Sequence, residues 1–319
     1  VKLLVLGGTS FVGRAIVEDA LTSGHTLTLF SRGKTGSDLF PGVERRTGDR
    51  EAGDYASLAE GNWDAVIDVS GYIPRHVTQA AGAIGARIGR YLFISTCSVY
   101  DRTSAADGTT EDAPRLAPER GTEEVTAQTY GPLKVACEDD VLARFGDRAT
   151  LVRPGIVAGP HDPTDRFTYW VRRAAGGGRA ALPGRPDQPV QVVDARDLGR
   201  LVIALLEQDK PGSYNAVGPA EPVTLAALIK SCARAAGTEV DVVPVPAESV
   251  DPGFPLVLPD HTWDVMFRRG AAAAYDAGMP KTPLDKTAAD VLAWDRGRGE
   301  PPLAVGLSPE REAELLSAS

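Results

Sequence analysis

A chain of 319 residues is longer than a single hydrophobic core usually serves, so one large domain or two coupled ones are expected. Hydrophobic residues at 43% and charged residues at 24% are the proportions of a soluble globular enzyme. A net charge of −9 argues against a phosphate-backbone partner, which needs a basic surface, so no nucleic-acid partner is expected.

Residues 1–6 form an apolar run of strand length that enters glycines directly. The run lacks the basic head of a signal peptide and the roughly 20 apolar residues of a membrane span, which predicts a cytoplasmic chain with no membrane partner. Short apolar segments then alternate with helix-like ones as far as residue 155. Strands are expected at 2–6, 27–30, 65–69, 91–95 and 150–153, several of them apolar on both faces, as a sheet covered by helices requires. Between the first two, Val12, Ile16 and Ala20 recur at helical spacing. The alternation predicts an α/β fold, a doubly wound parallel sheet of the Rossmann type.

Beyond Gly159 the texture changes, with Gly- and Pro-rich stretches at 176–178, 183–189 and 244–259. Helices are expected at 195–207, 225–236 and 284–294, strands at 190–193, 214–217 and 240–245, and a helix capped by Ser308 in the tail. Asp194 has the chemistry of an N-cap for the first of these helices. Trp170, Trp263 and Trp294 are expected to pack this half. The division predicted is 1–158 for dinucleotide binding and 159–319 for a smaller substrate-binding domain, with part of 190–217 returning to the main sheet. No internal repeat is present.

Cys97, Cys137 and Cys232 stand far apart without CxxC spacing, and the four histidines are equally scattered, so neither a disulfide framework nor a metal site is expected. Gly7-Gly8-Thr9-Ser10-Phe11-Val12-Gly13 joins the first strand to the first helix. A dinucleotide pyrophosphate needs a tight turn, close backbone approach and open N–H groups at a helix N-terminus. Gly7 supplies the turn, Gly8 to Phe11 the approach, and Gly13 the close packing of helix on strand. At the end of the second strand, where an NAD site usually carries an acid, stand Ser31 and Arg32, followed by Lys34. A hydroxyl beside a guanidinium suits the 2′-phosphate of NADP, which is favoured over NAD; the alternative is a solvated turn arginine.

Tyr130-Gly131-Pro132-Leu133-Lys134 sets a phenol and an ammonium on one helix face. A free tyrosine titrates near ~10, and a neighbouring cation favours its phenolate. Such a group can give a proton to a carbonyl oxygen, or take one from an alcohol, as hydride moves. The strand near residue 91 runs into Ser95-Thr96-Cys97-Ser98-Val99-Tyr100, and Thr96 stands 34 residues before Tyr130. Strand carboxyl ends are where open α/β sheets bind ligands, and Thr96 there can hold the reacting oxygen.

At these residues the chain resembles the extended short-chain dehydrogenase/reductase family, the group of NAD-dependent epimerases and dehydratases. The resemblance runs through residues 7–13, Gly48-Asp49, residues 95–100, Tyr130 with Lys134, and Arg153-Pro154 to Gly159-Pro160. It implies that Thr96, Tyr130 and Lys134 are the catalytic triad, that Lys134 also holds the nicotinamide ribose, that Asp49 meets the adenine, and that Ser70 and Gly71 border the cofactor. It also implies a homodimer through two long helices. Three departures stand out. The middle glycine of the loop is Ser10, the GGTxFxG variant of atypical members. Cys97 and Ser98 replace the acid–base carboxylates that sugar-nucleotide dehydratases carry. Ile156 stands where sugar-nucleotide epimerases tend to have Asn.

Candidate substrate contacts are Tyr72, Cys97, Ser98, His161 and Arg166. Cys97 is either an acid beside the triad or small apolar packing. His161 is a second proton donor or a loop residue, and Arg166 an anion ligand or a loop residue. Tyr72 and Tyr100 line the pocket or pack beside it. The leading expectation is an NADP(H)-dependent reductase or dehydrogenase of a small metabolite. Two alternatives remain: an epimerase or dehydratase that uses its cofactor transiently, and a non-catalytic nucleotide-sensing or RNA-binding scaffold, since the GGTxFxG variant also resembles chloroplast stem-loop-binding proteins.

Overall fold

The computed structural model describes residues 1–318 and divides into two compact units. The first holds Val1–Gly155, Ala195–Ala216 and Gly270–Pro280; the second holds Ile156–Asp194, Val217–Arg269 and Lys281–Ser319. The chain therefore returns to the first unit twice, with Ala195–Ala216, inside the stretch expected to rejoin the main sheet, and again with Gly270–Pro280, which the sequence pattern does not mark.

In chain order the first unit opens with β1 (Lys2–Leu6), α1 (Phe11–Thr22), β2 (Thr26–Ser31), β3 (Glu44–Thr47), β4 (Trp63–Asp68), α2 (Pro74–Ile84), β5 (Ile88–Ile94), α3 (Tyr130–Phe145) and β6 (Ala149–Pro154). The second begins with β7 (Ile156–Ala158), α4 (Arg166–Ala175), β8 (Gly178–Leu182), β9 (Pro189–Val190) and β10 (Val192–Asp194). The chain returns to the first for α5 (Ala195–Glu207) and β11 (Gly212–Ala216). After β12 (Val223–Thr224), α6 (Leu225–Ala236) and β13 (Val240–Pro244), α7 (Ala272–Asp276) belongs to the first unit, and α8 (Leu284–Gly297) and α9 (Pro309–Ser317) to the second.

Seven parallel strands form one sheet in the order β11-β6-β5-β4-β1-β2-β3. Strand order reverses between β1 and β4, the place where a doubly wound sheet opens a crevice at its carboxyl edge. Leu3, Leu4, Val5 and Leu6 are all fully buried, because successive side chains point to opposite, helix-covered faces. Leu4 and Leu6 join Val66, Phe93, Val77 and Ile84 of α2, and Val141 and Phe145 of α3 in one core. Helix α1 packs on α5 through Gly199, where a methyl group would lie 2.9 Å from the Ala15 carbonyl.

Two elements of this unit carry little sequence signal. β3 reads Glu-Arg-Arg-Thr, a charged edge strand paired only with β2, as protected edges often are. Its Arg46 lies over the Trp63 ring at 5.1 Å and donates to the Ser57 carbonyl at 2.9 Å, so a cation occupies a place where alternation leads one to look for an apolar group. α2 is built on alanine and starts on Pro74, with His76, Val77, Ala80, Ala81 and Ile84 inside.

The second unit has short ladders, β7 with β10 and β8 with β13 parallel, and β9 with β12 antiparallel. They pack with α4, α6 and α8 around Trp170, which is fully buried and donates to the Pro255 carbonyl at 2.8 Å. Ser308 caps α9 by accepting from Arg311 N at 3.2 Å. α4 and β8 occupy the stretch that reads from sequence as loop and Gly-rich spacer. No helix among the described residues is long and apolar enough to cross a membrane, and none of their His, Cys, Asp and Glu groups clusters to hold a metal ion.

Candidate active site

The loop between β1 and α1 sits at the reversal of strand order. Gly7 adopts φ +94°, open to glycine at little cost, and a methyl group there would lie 2.9 Å from Ser70. A methyl on Gly13 would lie 2.0 Å from the Gly7 carbonyl, so only glycine lets the helix start this close to the strand. Ser10 precedes α1 in extended conformation without capping it, so no Ser10 hydroxyl claims the first-turn N–H groups. These features fit a dinucleotide: the cradle lacks side chains where a pyrophosphate needs backbone, and it opens on a helix N-terminus. Ser70 closes the other wall, its Oγ donating to the Leu6 carbonyl at 3.3 Å.

The segment after β2 folds back on this loop. Thr35 Oγ1 lies 3.5 Å from Thr9 Oγ1, and a methyl on Gly36 would sit 3.2 Å from Thr9 Cβ. Ser31 Oγ accepts from Gly33 N at 3.2 Å, making a tight turn that presents Arg32 and Lys34. Both cations are exposed and, among the described residues, neither has a carboxylate partner. Asp49 follows buried Gly48 and is part-exposed, its Oδ1 accepting from Glu51 N at 3.0 Å.

After β5 the chain makes a single 3₁₀ turn, Cys97–Val99. Thr96 caps it: its Oγ1 accepts from Ser98 N at 3.1 Å and donates to Ser98 Oγ at 3.2 Å. The start of α3 is pressed onto this turn. A methyl on Gly131 would lie 2.3 Å from the Ser98 carbonyl, and that approach sets the start of α3, at Tyr130, against the turn that carries Thr96 and Ser98. Gly131→Ala is therefore expected to destabilise the fold by ~1–3 kcal/mol through overpacking, read as a fall in Tm, and to cost activity beyond that. A Tm and turnover equal to wild type would refute the close approach.

Lys134 is 2% exposed, and its Nζ donates to the carbonyls of Gly71 at 2.8 Å and Ile94 at 2.7 Å. An ammonium has three protons, so one remains for a ligand. Burial pulls its pKa down to about 8, against the opposing charges of Cys137, Asp68 and Glu138. Phe93 lies 4.1 Å from the ammonium and Tyr72, 47% exposed, 5.8 Å from it, both as ring faces. Further along α3, buried Glu138 takes Arg153 on both oxygens at 2.8 and 2.9 Å, which ties the helix to the end of β6.

Several candidates have structural duties. Cys97 Sγ donates to the Arg153 carbonyl at 3.1 Å and is buried. Tyr100 is buried too, donating to Asn215 Oδ1 at 2.6 Å and accepting from Arg153 at 2.9 Å; burial pushes its phenol up to about 12. His161 and Arg166 belong to the second unit. His161 has φ +70° and stands edge-on to Trp294 at 5.5 Å, and Arg166 Nε donates to Thr164 Oγ1 at 3.2 Å in the first turn of α4.

Three residues around the groove escape a reading by motif. Arg50 and Asp68 form a buried two-toothed ion pair at 2.6 and 2.9 Å, and Tyr91 donates to Asp68 at 2.6 Å. Burial pushes the Asp68 carboxyl up, but the Arg50 cation and Tyr91 hydroxyl outweigh it, leaving it below its ordinary value. The available signal was an aspartate closing an otherwise apolar strand end, Ala-Val-Ile-Asp.

Comparison with known proteins gives this geometry its context. The profile of the NAD dependent epimerase/dehydratase family matches residues 51–217, just over half of the chain. The chain is 25% identical over 316 residues to the chloroplast stem-loop binding protein of 41 kDa b of Arabidopsis thaliana, covering 93% of this chain and 80% of that one. It is 28% identical over 261 residues to the 2′-dehydrokanamycin reductase of Streptomyces kanamyceticus, covering 77% and 70%. Among solved structures, the UDP-glucuronic acid 4-epimerase of Bacillus cereus in complex with NAD superposes with a TM-score of 0.69 at 15% identity, over 95% of this chain and 99% of that one. The UDP-glucose 4-epimerase of Thermotoga maritima does so with a TM-score of 0.70 at 16% identity, over 93% and 99%. Those two likenesses establish the fold. With a glycine cradle at the reversal of its sheet and the family profile spanning β4 to β11, the chain belongs to the NAD dependent epimerase/dehydratase family and is an NAD(P)-dependent enzyme of the short-chain dehydrogenase/reductase type.

Proposed function

We propose that this chain is an NADP(H)-dependent reductase that converts a carbonyl group of a small metabolite to an alcohol. The observation that carries the reading is the pressed contact of Gly131 on the Ser98 carbonyl, which sets Tyr130 against a turn that offers hydroxyls and no carboxylate. Bound in the glycine cradle, the dihydronicotinamide supplies the hydride. Tyr130 gives its phenolic proton to the substrate oxygen, and Thr96 and Ser98 hold that oxygen through their hydroxyls. Lys134, buried and charged below about pH 8, favours the phenolate left behind and uses its remaining N–H on the ribose. Cys97 takes no part, since its thiol is spent on the Arg153 carbonyl.

A dehydratase needs a further acid–base group beside the triad hydroxyl, and the side chains there are Cys97 and Ser98, which supports reduction over elimination. Arg32 and Lys34, exposed, without a carboxylate partner among the described residues and carried on the segment that folds back on the glycine loop, support a cofactor with a 2′-phosphate. The 2′-dehydrokanamycin reductase relative supports the same direction of chemistry. The test is stoichiometry: with a panel of aldehydes and ketones, one NADPH should be consumed per alcohol formed. Turnover of a sugar nucleotide without net change in cofactor would instead identify an epimerase. The stem-loop binding relative favours a different role, which filter binding across salt concentrations would reveal as salt-sensitive retention of RNA. The net charge of −9 supports no retention.

A further inference from the structure

We infer that Arg50 is a positioning residue that couples the adenosine side of the dinucleotide groove to the Lys134 ammonium, acting through Asp68 and the turn at Ser70 and Gly71. The inference rests on the proposed roles of that groove and of Lys134.

Arg50 directly follows Asp49 and is 8% exposed. Its guanidinium reaches three residues, at the end of β4, on the turn after it and on α2. Both outer nitrogens grip Asp68, one also donates to Ser70 Oγ at 3.0 Å, and the other to the His76 carbonyl at 2.9 Å in the first turn of α2. Asp68, 0% exposed at the end of β4, holds the same turn from the other side, its Oδ1 accepting from Ser70 N at 3.2 Å. Ser70 is the residue a methyl on Gly7 would strike, and the next carbonyl, that of Gly71, is the acceptor of the Lys134 ammonium. Hydrogen bonds on either side of the Ser70–Gly71 peptide bond therefore join the loop carrying Asp49, the wall of the glycine cradle and the lysine.

A buried ion pair costs desolvation, and apolar residues of equal volume often stabilise a core as well or better. Here the pair's further hydrogen bonds go to the cofactor-side turn at Ser70, to the His76 carbonyl of α2 and to the Tyr91 hydroxyl, so the pair defines a shape that apolar packing does not. Lysine in place of Arg50 keeps the charge but loses the planar fork that reaches Asp68, Ser70 and His76 together. The pair also sets the electrostatics of Lys134. The charged and titratable groups facing that ammonium are Asp68 from β4, Tyr72 from the segment after it, Cys137 and Glu138 from its own helix, and Arg50 behind Asp68, with Tyr91 bonded to Asp68. Arg50 opposes the ammonium and Asp68 favours it.

The test is NADPH binding, followed by the fluorescence of the dinucleotide from neutral to alkaline pH, in the wild-type chain and in Arg50→Met, Arg50→Lys and Asp68→Asn. Wild-type affinity should weaken as pH rises through about 8, where Lys134 loses its proton. Arg50→Met should bind about 10-fold more weakly, the scale of a lost charge-assisted hydrogen bond, with its break moved to higher pH. Asp68→Asn should also bind more weakly, but with its break moved to lower pH. Arg50→Lys should keep the wild-type break and recover part of the affinity. Opposite movements of the break distinguish positioning from general damage, which leaves the break in place or moves it one way in both variants; either of those results overturns the inference. Should a charge-removing variant fail to fold, Tyr91→Phe keeps both charges and removes one bond to Asp68; several-fold weaker binding is expected, and unchanged binding overturns the inference. A wild-type chain that binds no NADPH overturns the proposed function and this inference together, whereas normal wild-type binding with unmoved variants overturns this inference alone.

Discussion

Tyr130→Phe is expected to bind NADPH as tightly as the wild-type chain while kcat falls by about 10²- to 10⁴-fold, the range that a positioned general acid contributes. The substitution removes one oxygen and leaves the ring, so the first turn of α3 can still press Gly131 onto the Ser98 carbonyl. The hydrogen bonds of Lys134 to Gly71 and Ile94 do not involve the phenol, and the glycine cradle lies on other elements. Binding and chemistry should therefore separate cleanly. Dinucleotide fluorescence reports the first, and absorbance of the reduced nicotinamide during carbonyl turnover reports the second. Undiminished turnover would remove Tyr130 from the reaction and leave Ser98 or Thr96 as the group to examine.

Arg32→Ala is expected to weaken NADPH binding by about 10- to 100-fold and to leave NADH binding unchanged, since a hydrogen bond to a charged partner contributes ~1.5–3 kcal/mol. The argument is local. Ser31 Oγ is occupied in turning the chain through Gly33, and the exposed cations after it lie on the segment whose Thr35 and Gly36 fold back on Thr9 of the glycine loop. An exposed pair of single charges would be worth little, but a phosphate dianion met by a guanidinium fork is a stronger case. The difference should shrink as salt rises, because the contact is at the surface. Calorimetric titration with both dinucleotides checks this. Equal losses for NADPH and NADH would show that Arg32 supports the loop and does not select the 2′-phosphate.

The main sheet was legible in the chain because its strands are short apolar runs buried on both faces. Lys2–Leu6 is found where the pattern puts it, and β2, β4, β5 and β6 differ from expectation by a few residues at their ends. Helices α5 and α6 have the expected limits for the related reason that one apolar face repeats at helical spacing. What escaped the pattern was set by tertiary structure. β3 owes its place to backbone pairing with β2 and to Arg46 lying on Trp63, neither of which periodicity reveals. β8 begins at Gly178, inside a glycine run that reads as a spacer, and pairs with β13 more than sixty residues later.

The site divides along similar lines. Residues 7–13 and the Tyr130/Lys134 pair stand out because their spacing is itself the chemistry: close backbone approach in one case, a shared helix face in the other. Gly131 lies inside the second motif, yet its need to be glycine becomes visible only once the Ser98 carbonyl is seen against it. Arg50 and Asp68 are separated by 18 residues, and nothing in the spacing after Gly48-Asp49 singles out Arg50 until its carboxylate partner is found in the core. Pairing across strands is what single-sequence periodicity cannot express.

The most direct measurement is a crystal structure of the chain with bound NADP⁺. The proposal requires the pyrophosphate on residues 7–13, the 2′-phosphate at Arg32, and the nicotinamide ribose within hydrogen-bond reach of Lys134, with the Tyr130 hydroxyl facing the ring. A dinucleotide bound with its nicotinamide many ångströms from that hydroxyl would contradict it.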